Sequence, residues 1–188
     1  MYDNLEELEK IVEKCNKCEL WKNRTNSVFG TGNINADIMF IGEGPGADED
    51  MEGIPFVGKA GKLMNQAFIG LGINRENVYI ANIVKCRPPN NRVPSKQEAM
   101  ICMDYLRNQV LLIKPKIIVL LGNTALKKII GENYGITSSR GKWIEKKGIK
   151  YMPTFHPAAL LRDESKKLDF WKDIELVKKE AEKNNFII

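Results

Sequence analysis

Four short runs of the chain are apolar at nearly every position rather than at alternate ones: Asp37–Gly42, Val78–Val84, Lys116–Gly122 and Lys150–Phe155. A strand with that pattern is covered on both faces, as in a parallel sheet packed between helices. Helix-period patterns lie between the runs, at Lys59–Leu71, Ser95–Ile113 and Asn123–Ile130. An amphipathic segment, Met1–Lys14, precedes them, with Leu5, Leu8, Ile11 and Val12 set among charges, and a last helix carries Leu168, Trp171, Ile174 and Val177. Strands alternating with helices predict a three-layer α/β/α fold around a central, mainly parallel four-stranded sheet. The chain has 188 residues, 43% of them apolar, enough for one core, so a single domain over residues 1–188 is expected, with an N-terminal helix and no repeats. No apolar run reaches the roughly 20 residues needed to span a bilayer, and the charges of the first segment set it apart from a signal peptide. A cytoplasmic monomer without a membrane partner is the expectation.

In open parallel sheets the functional loops lie beyond the C-terminal strand ends, here the loops that begin at Gly42, Asn82, Gly122 and Phe155. The first, Gly42-Glu-Gly-Pro-Gly-Ala47, satisfies G-x-G-x-x-A, a dinucleotide fingerprint. Its context argues otherwise: Pro45 removes an N–H that a phosphate would need, four carboxylates follow within Asp48–Glu52, and no helix is expected before about Lys59. These glycines instead let the backbone approach something flat or neutral. Gly53-Ile-Pro-Phe-Val-Gly58 then sets Phe56 on a turn, as a hydrophobic plug or as a stacking platform for a base. His156, the only histidine, directly follows the last strand and precedes Pro157 at an expected helix start.

Cys15 and Cys18 form a C-x-x-C, and Cys86 and Cys102 stand with fifteen residues between them. Four cysteines are the number that a tetrathiolate metal centre takes, and in a reducing compartment metal binding is favoured over disulfides. Spacing leaves zinc and an iron–sulfur cluster open. Lys and Arg outnumber Asp and Glu by 29 to 24. The excess is local: Lys85, Arg87, Arg92 and Lys96 fall between Asn82 and Lys96 without an acid, and five bases face only Glu145 between Ser138 and Lys150. Such runs suit a polyanion, although a solvated face produces them too.

Three segments, taken together, resemble a known family: G-E-G-P-G-A-D-E-D with G-I-P-F-V-G-K-A-G, then N-I-V-K-C-R-P-P-N-N-R, then F-H-P-A-A-L-L-R. They are similar to the motifs of the type 4, iron–sulfur, uracil-DNA glycosylases, and with the cysteines the resemblance runs from Cys15 to Arg162. The resemblance implies a DNA-repair hydrolase that flips uracil out of DNA and cuts its N-glycosidic bond, leaving an abasic site and free uracil. It implies that Cys15, Cys18, Cys86 and Cys102 hold a [4Fe-4S] cluster and that Gly42, Glu43 and Gly44 line the uracil pocket. Phe56 would stack on the base, Asn82 would read its polar edge and His156 would face O2. The segment Pro157–Arg162 resembles the loop that enters the minor groove, and Lys85, Arg87 and Arg162 are the expected DNA contacts. Other branches of the superfamily carry a water-positioning aspartate where this chain has Gly44, which leaves Glu43 first and Glu49 second as candidates for that role. One branch bonds covalently to DNA through a histidine in the loop corresponding to Cys86–Pro94, which has none. The alternatives are a non-catalytic nucleic-acid-binding module built on a metal or cluster, and a glycosylase with a wider range of damaged bases.

Overall fold

A computed structural model of the chain describes residues 4–188. The start of the first expected helix, Met1–Asp3, lies outside them. Helix α1 runs Leu5–Glu13, capped by Asn4, whose side chain accepts from the Glu7 N–H at 2.9 Å. The strands are β1 (Thr31–Gly32), β2 (Ile38–Gly42), β3 (Tyr79–Asn82), β4 (Ile117–Leu121), β5 (Ile144–Lys146) and β6 (Ile149–Thr154). The remaining α-helices are α2 (Ala47–Glu52), α3 (Lys59–Leu71), α4 (Lys96–Ile113), α5 (Gly122–Ile129), α6 (Ile136–Ser139), α7 (Pro157–Arg162) and α8 (Lys167–Lys183).

The sheet order is β1-β3-β2-β4-β6-β5. Its four central strands pair in parallel, and both edges are antiparallel. The four apolar runs are those central strands; the two edge strands add to the four expected. β1 and β5 are two and three residues long and largely exposed, with Ile144 their one apolar side chain, so they carry no apolar run. Every residue of β2, β3 and β4 is buried, because both faces are covered. Along β2 the side chains alternate between layers: Met39 and Ile41 pack with Leu8 and Val12 of α1 and Leu106 of α4, whereas Ile38 and Phe40 pack with Met64 and Phe68 of α3 and Phe170 and Ile174 of α8. This is the three-layer α/β/α arrangement.

One expectation is corrected. A helix, α2, follows the glycine loop at once, well before Lys59. It is short and acidic in its first turn, and Glu49 bonds back to the N–H of Gly46 at its start, at 3.1 Å. Three carboxylates at a helix start repel phosphate, so the dinucleotide reading fails for this reason rather than for want of a helix. Strand order reverses at β2, with β3 on one side and β4 on the other, which opens a crevice beyond Gly42 and Leu121.

Candidate functional site

Three of the loops at the strand ends converge. Gly42 and Asn82 are paired neighbours at the ends of β2 and β3, and the ladder continues one step with Ile83 N–H donating to the Gly42 carbonyl at 2.9 Å. A Cβ on Gly42 would stand 2.4 Å from Asn82 Oδ1 and 2.7 Å from Phe56 Cζ, so only glycine lets these two side chains meet there. Asn82 is 1% exposed, and its Oδ1 is buried with no hydrogen-bond partner among the described residues. A buried acceptor left unmatched is costly unless a ligand supplies the donor.

Phe56 is buried in the left-handed region, at φ 55, an unusual conformation for an aromatic residue. Its turn is held from two sides. Glu49 accepts from the N–H groups of Val57 at 3.0 Å and Gly58 at 2.9 Å as well as from Gly46. Gly61 in α3 lies so close that a Cβ there would meet the Phe56 carbonyl oxygen at 1.9 Å.

The ring of His156 lies 5.5 Å from that of Phe56, centroid to centroid. Its approach uses Gly122 at φ 88, where a Cβ would stand 2.9 Å from His156 Cβ. His156 caps α7: Nδ1 accepts from the Ala158 N–H at 3.1 Å. An accepting Nδ1 leaves the proton of the neutral ring on Nε2, which makes that atom a donor. Burial, assisted by Arg162, pulls the imidazole down to about 4, so it is neutral near pH 7.

Glu43 follows Gly42 and is half-buried, and the Thr124 hydroxyl, on the first turn of α5, donates to its Oε2. The fourth strand-end loop, which carried no motif, thus supplies a site residue that sequence reasoning missed. A hydroxyl two residues after a strand-end glycine was the available signal. Gly44 has little spare room: a Cβ there would meet Val84 Cγ2 at 2.7 Å.

The four cysteines line one cavity together with Val12, Arg24, Lys85 and Tyr105. Cys15 and Cys18 are half-buried, and Cys86 and Cys102 are buried. Two N–H groups already point at the sulfurs: Arg24 Nη1 donates to Cys86 Sγ at 3.1 Å and the Lys85 backbone to Cys102 Sγ at 3.3 Å. Burial pushes the thiols of Cys18, Cys86 and Cys102 up, the last to about 12, so a metal would have to displace their protons. Among the described residues no three His, Cys, Asp or Glu side chains converge as a single metal ion requires; the thiols surround a shared space instead.

Of the expected DNA contacts, Arg162 is exposed at the end of α7 and Arg87 is half-buried, its Nε donating to Asn91 Oδ1 at 2.8 Å. Lys85 is corrected: it is 1% exposed and its ammonium is enclosed in protein, out of reach of a phosphate. Glu49 is corrected as well, since three backbone donors engage both of its oxygens and leave it a structural bolt rather than a seat for water. The segment Pro157–Arg162 is a short helix, and next to Arg162 it presents Leu161, 47% exposed, which sequence reasoning did not single out.

The family model described as the uracil DNA glycosylase superfamily matches residues 29–177. Among curated proteins, a type-4 uracil-DNA glycosylase of Sulfurisphaera tokodaii is 51% identical over 85% of this chain and 76% of its own length. One of Saccharolobus solfataricus is 48% identical over 85% and 78%, and one of Thermotoga maritima is 46% identical over 96% of this chain and all of its own length.

Proposed function

The chain belongs to the uracil-DNA glycosylase superfamily, in its type-4 branch, and we propose how its residues excise uracil from DNA. The observation that carries this reading is the orphaned Asn82 Oδ1, buried at a strand end beside Phe56 and His156. Uracil offers an N3–H donor and an O4 acceptor, which match the oxygen and the NH₂ of one amide; cytosine offers a bare N3 and an N4 amino group, which an amide held in that same orientation meets acceptor to acceptor and donor to donor. A base stacked in a duplex cannot reach such a pocket, so the nucleotide is flipped out, at a cost of a few kcal/mol. Exposed Leu161 suits the gap left in the stack, and Arg162 and Arg87 suit the flanking phosphates.

Inside, the base lies against Phe56 with its edge on Asn82, along Gly42, Glu43 and Gly44. The C1′–N1 bond breaks with its electron pair moving to uracil, whose charge spreads to O2, while positive charge develops on the sugar. The Nε2–H of neutral His156 donates to O2 as that charge grows, in the manner of an oxyanion-hole donor. Water adds to C1′ from the side of Glu43, whose carboxylate is oriented by Thr124 and takes up the released proton; the uracil anion takes a proton from solvent as it departs and Glu43 returns its own to solvent, so the water ends as the sugar hydroxyl and the uracil N1–H. Free uracil and an abasic site result.

The four cysteines line one cavity and two N–H donors there suit anionic sulfur, so Cys15, Cys18, Cys86 and Cys102 would hold a [4Fe-4S] cluster. Its contribution there is structural: it would join the end of α1 to the Cys86 loop and to α4. Among the described residues no helix is long and apolar enough to cross a membrane.

The test compares native protein and Asn82→Asp on oligonucleotides that carry one uracil or one cytosine, scoring abasic sites. The native protein should cut only at uracil, and the variant should lose uracil activity and gain cytosine activity, because a carboxylate accepts from the N4 amino group. Full uracil activity in the variant with none on cytosine would show that Asn82 does not read the base.

A further inference from the structure

Lys85 stands between the two sites. Its ammonium donates to the Asn82 carbonyl oxygen at 3.0 Å and to Gln109 Oε1 at 2.6 Å, with the Phe29 ring centroid 5.9 Å away. Gln109, itself buried, donates onward to the Phe29 carbonyl at 3.0 Å and to Tyr79 Oη at 3.2 Å. Every partner of the ammonium is neutral, and among the described residues no carboxylate pairs with it. A cation sealed in protein without a counter-charge is strongly unfavourable, and native folds rarely keep one. Lys85 also lines the cavity of the four cysteines, where its backbone N–H points at Cys102 Sγ, and Arg24 reaches Cys86 Sγ in the same cavity. Four thiolates around a metal core carry net negative charge, which is what this cation lacks.

We propose that Lys85 is the internal counter-cation of the group held by the four cysteines. Asn82 and Gln109 hold it in place, which makes it a positioning residue that ties that group to the strand end presenting Asn82. The proposal rests on the reading that the cysteines hold an iron–sulfur cluster. It also explains why a lysine in a basic run points inward.

The experiment uses protein purified without oxygen, its loading read from iron content and the broad visible absorption of thiolate-bound iron, and follows iron release to a ferrous chelator. Lys85→Met removes the charge and keeps the volume. Gln109→Glu keeps Lys85 but sets a carboxylate against it, cancelling the charge from the other side. Both variants should release iron faster than native protein, by about tenfold or more, since attraction between close charges in protein is strong. Gln109→Met, which loses the same donors to Phe29 and Tyr79 without adding charge, is the reference for that variant: if Lys85 were only a structural strut, Gln109→Glu would grip it more tightly and release iron no faster than Gln109→Met. That result, or an unchanged rate in Lys85→Met, overturns the proposal; should Lys85→Met fail to fold, Gln109→Glu decides alone. Native protein without iron and without visible absorption strikes the cluster reading itself, and this is seen before any variant is made.

Discussion

Residue His156 serves two purposes with its two nitrogens. Nδ1 accepts from the helix behind it, which leaves Nε2 to donate forward. The consequence extends to stability. In the unfolded chain the imidazole titrates near 6.5, whereas burial in the fold pulls it down to about 4. Between those values the unfolded chain binds a proton that the folded one refuses, so folding stability from this group is full above pH 6.5 and is lost as pH falls toward 4. Urea midpoints of native protein should therefore drop more steeply between pH 6.5 and 4 than those of His156→Gln, which has no such group; parallel curves would show that the ring is not held neutral. The sequence already singled out His156, Asn82 and Phe56, because rare or polar residues at strand ends stand out. It could not show that Lys85 turns inward, since a basic run reads alike whether its members face water or a buried cavity.

At the scale of elements, short pieces locate the chemistry. The six-residue α2 supplies Glu49, which fastens the glycine loop to the Phe56 turn through three backbone N–H groups. Glu49→Ala should lower stability by about 2 kcal/mol or more, given that bonds to a charged acceptor are worth roughly 1.5–3 kcal/mol each and do not add fully. It should also raise the substrate concentration needed for half-maximal excision, because Phe56 is then free to leave its strained backbone conformation. Urea unfolding and single-turnover titrations check both, and a variant of native stability would remove Glu49 from the frame of the site. Helix α2 escaped sequence reading because four of its six residues are acids and it is too short for a periodic apolar face. The edge strands β1 and β5 escaped because they are two and three residues long and hold a single apolar side chain, Ile144, between them. The central strands and the long helices were legible because they are buried on predictable faces.

For the whole molecule, the sheet gathers the loops of β2, β3, β4 and β6 on one rim and leaves the four-cysteine cavity beside the loop that follows β3, with Arg87 and Arg162 as the proposed contacts to DNA. Arg87→Ala and Arg162→Ala should each flatten the salt dependence of duplex binding by about one unit, whereas Lys85→Met should leave it unchanged. A change of slope in Lys85→Met alone would mean that Lys85 turns outward on DNA. In the proposed mechanism, stabilising the departing uracil through His156 matters more than activating water through Glu43. Single-turnover excision from one uracil duplex by His156→Ala and by Glu43→Gln, with folding checked in both, measures it most directly. His156→Ala should slow excision by a factor of about 100 to 1,000 with little change in DNA affinity, and Glu43→Gln should cost clearly less. A Glu43→Gln variant as impaired as His156→Ala would contradict that order and make the carboxylate the principal catalytic group.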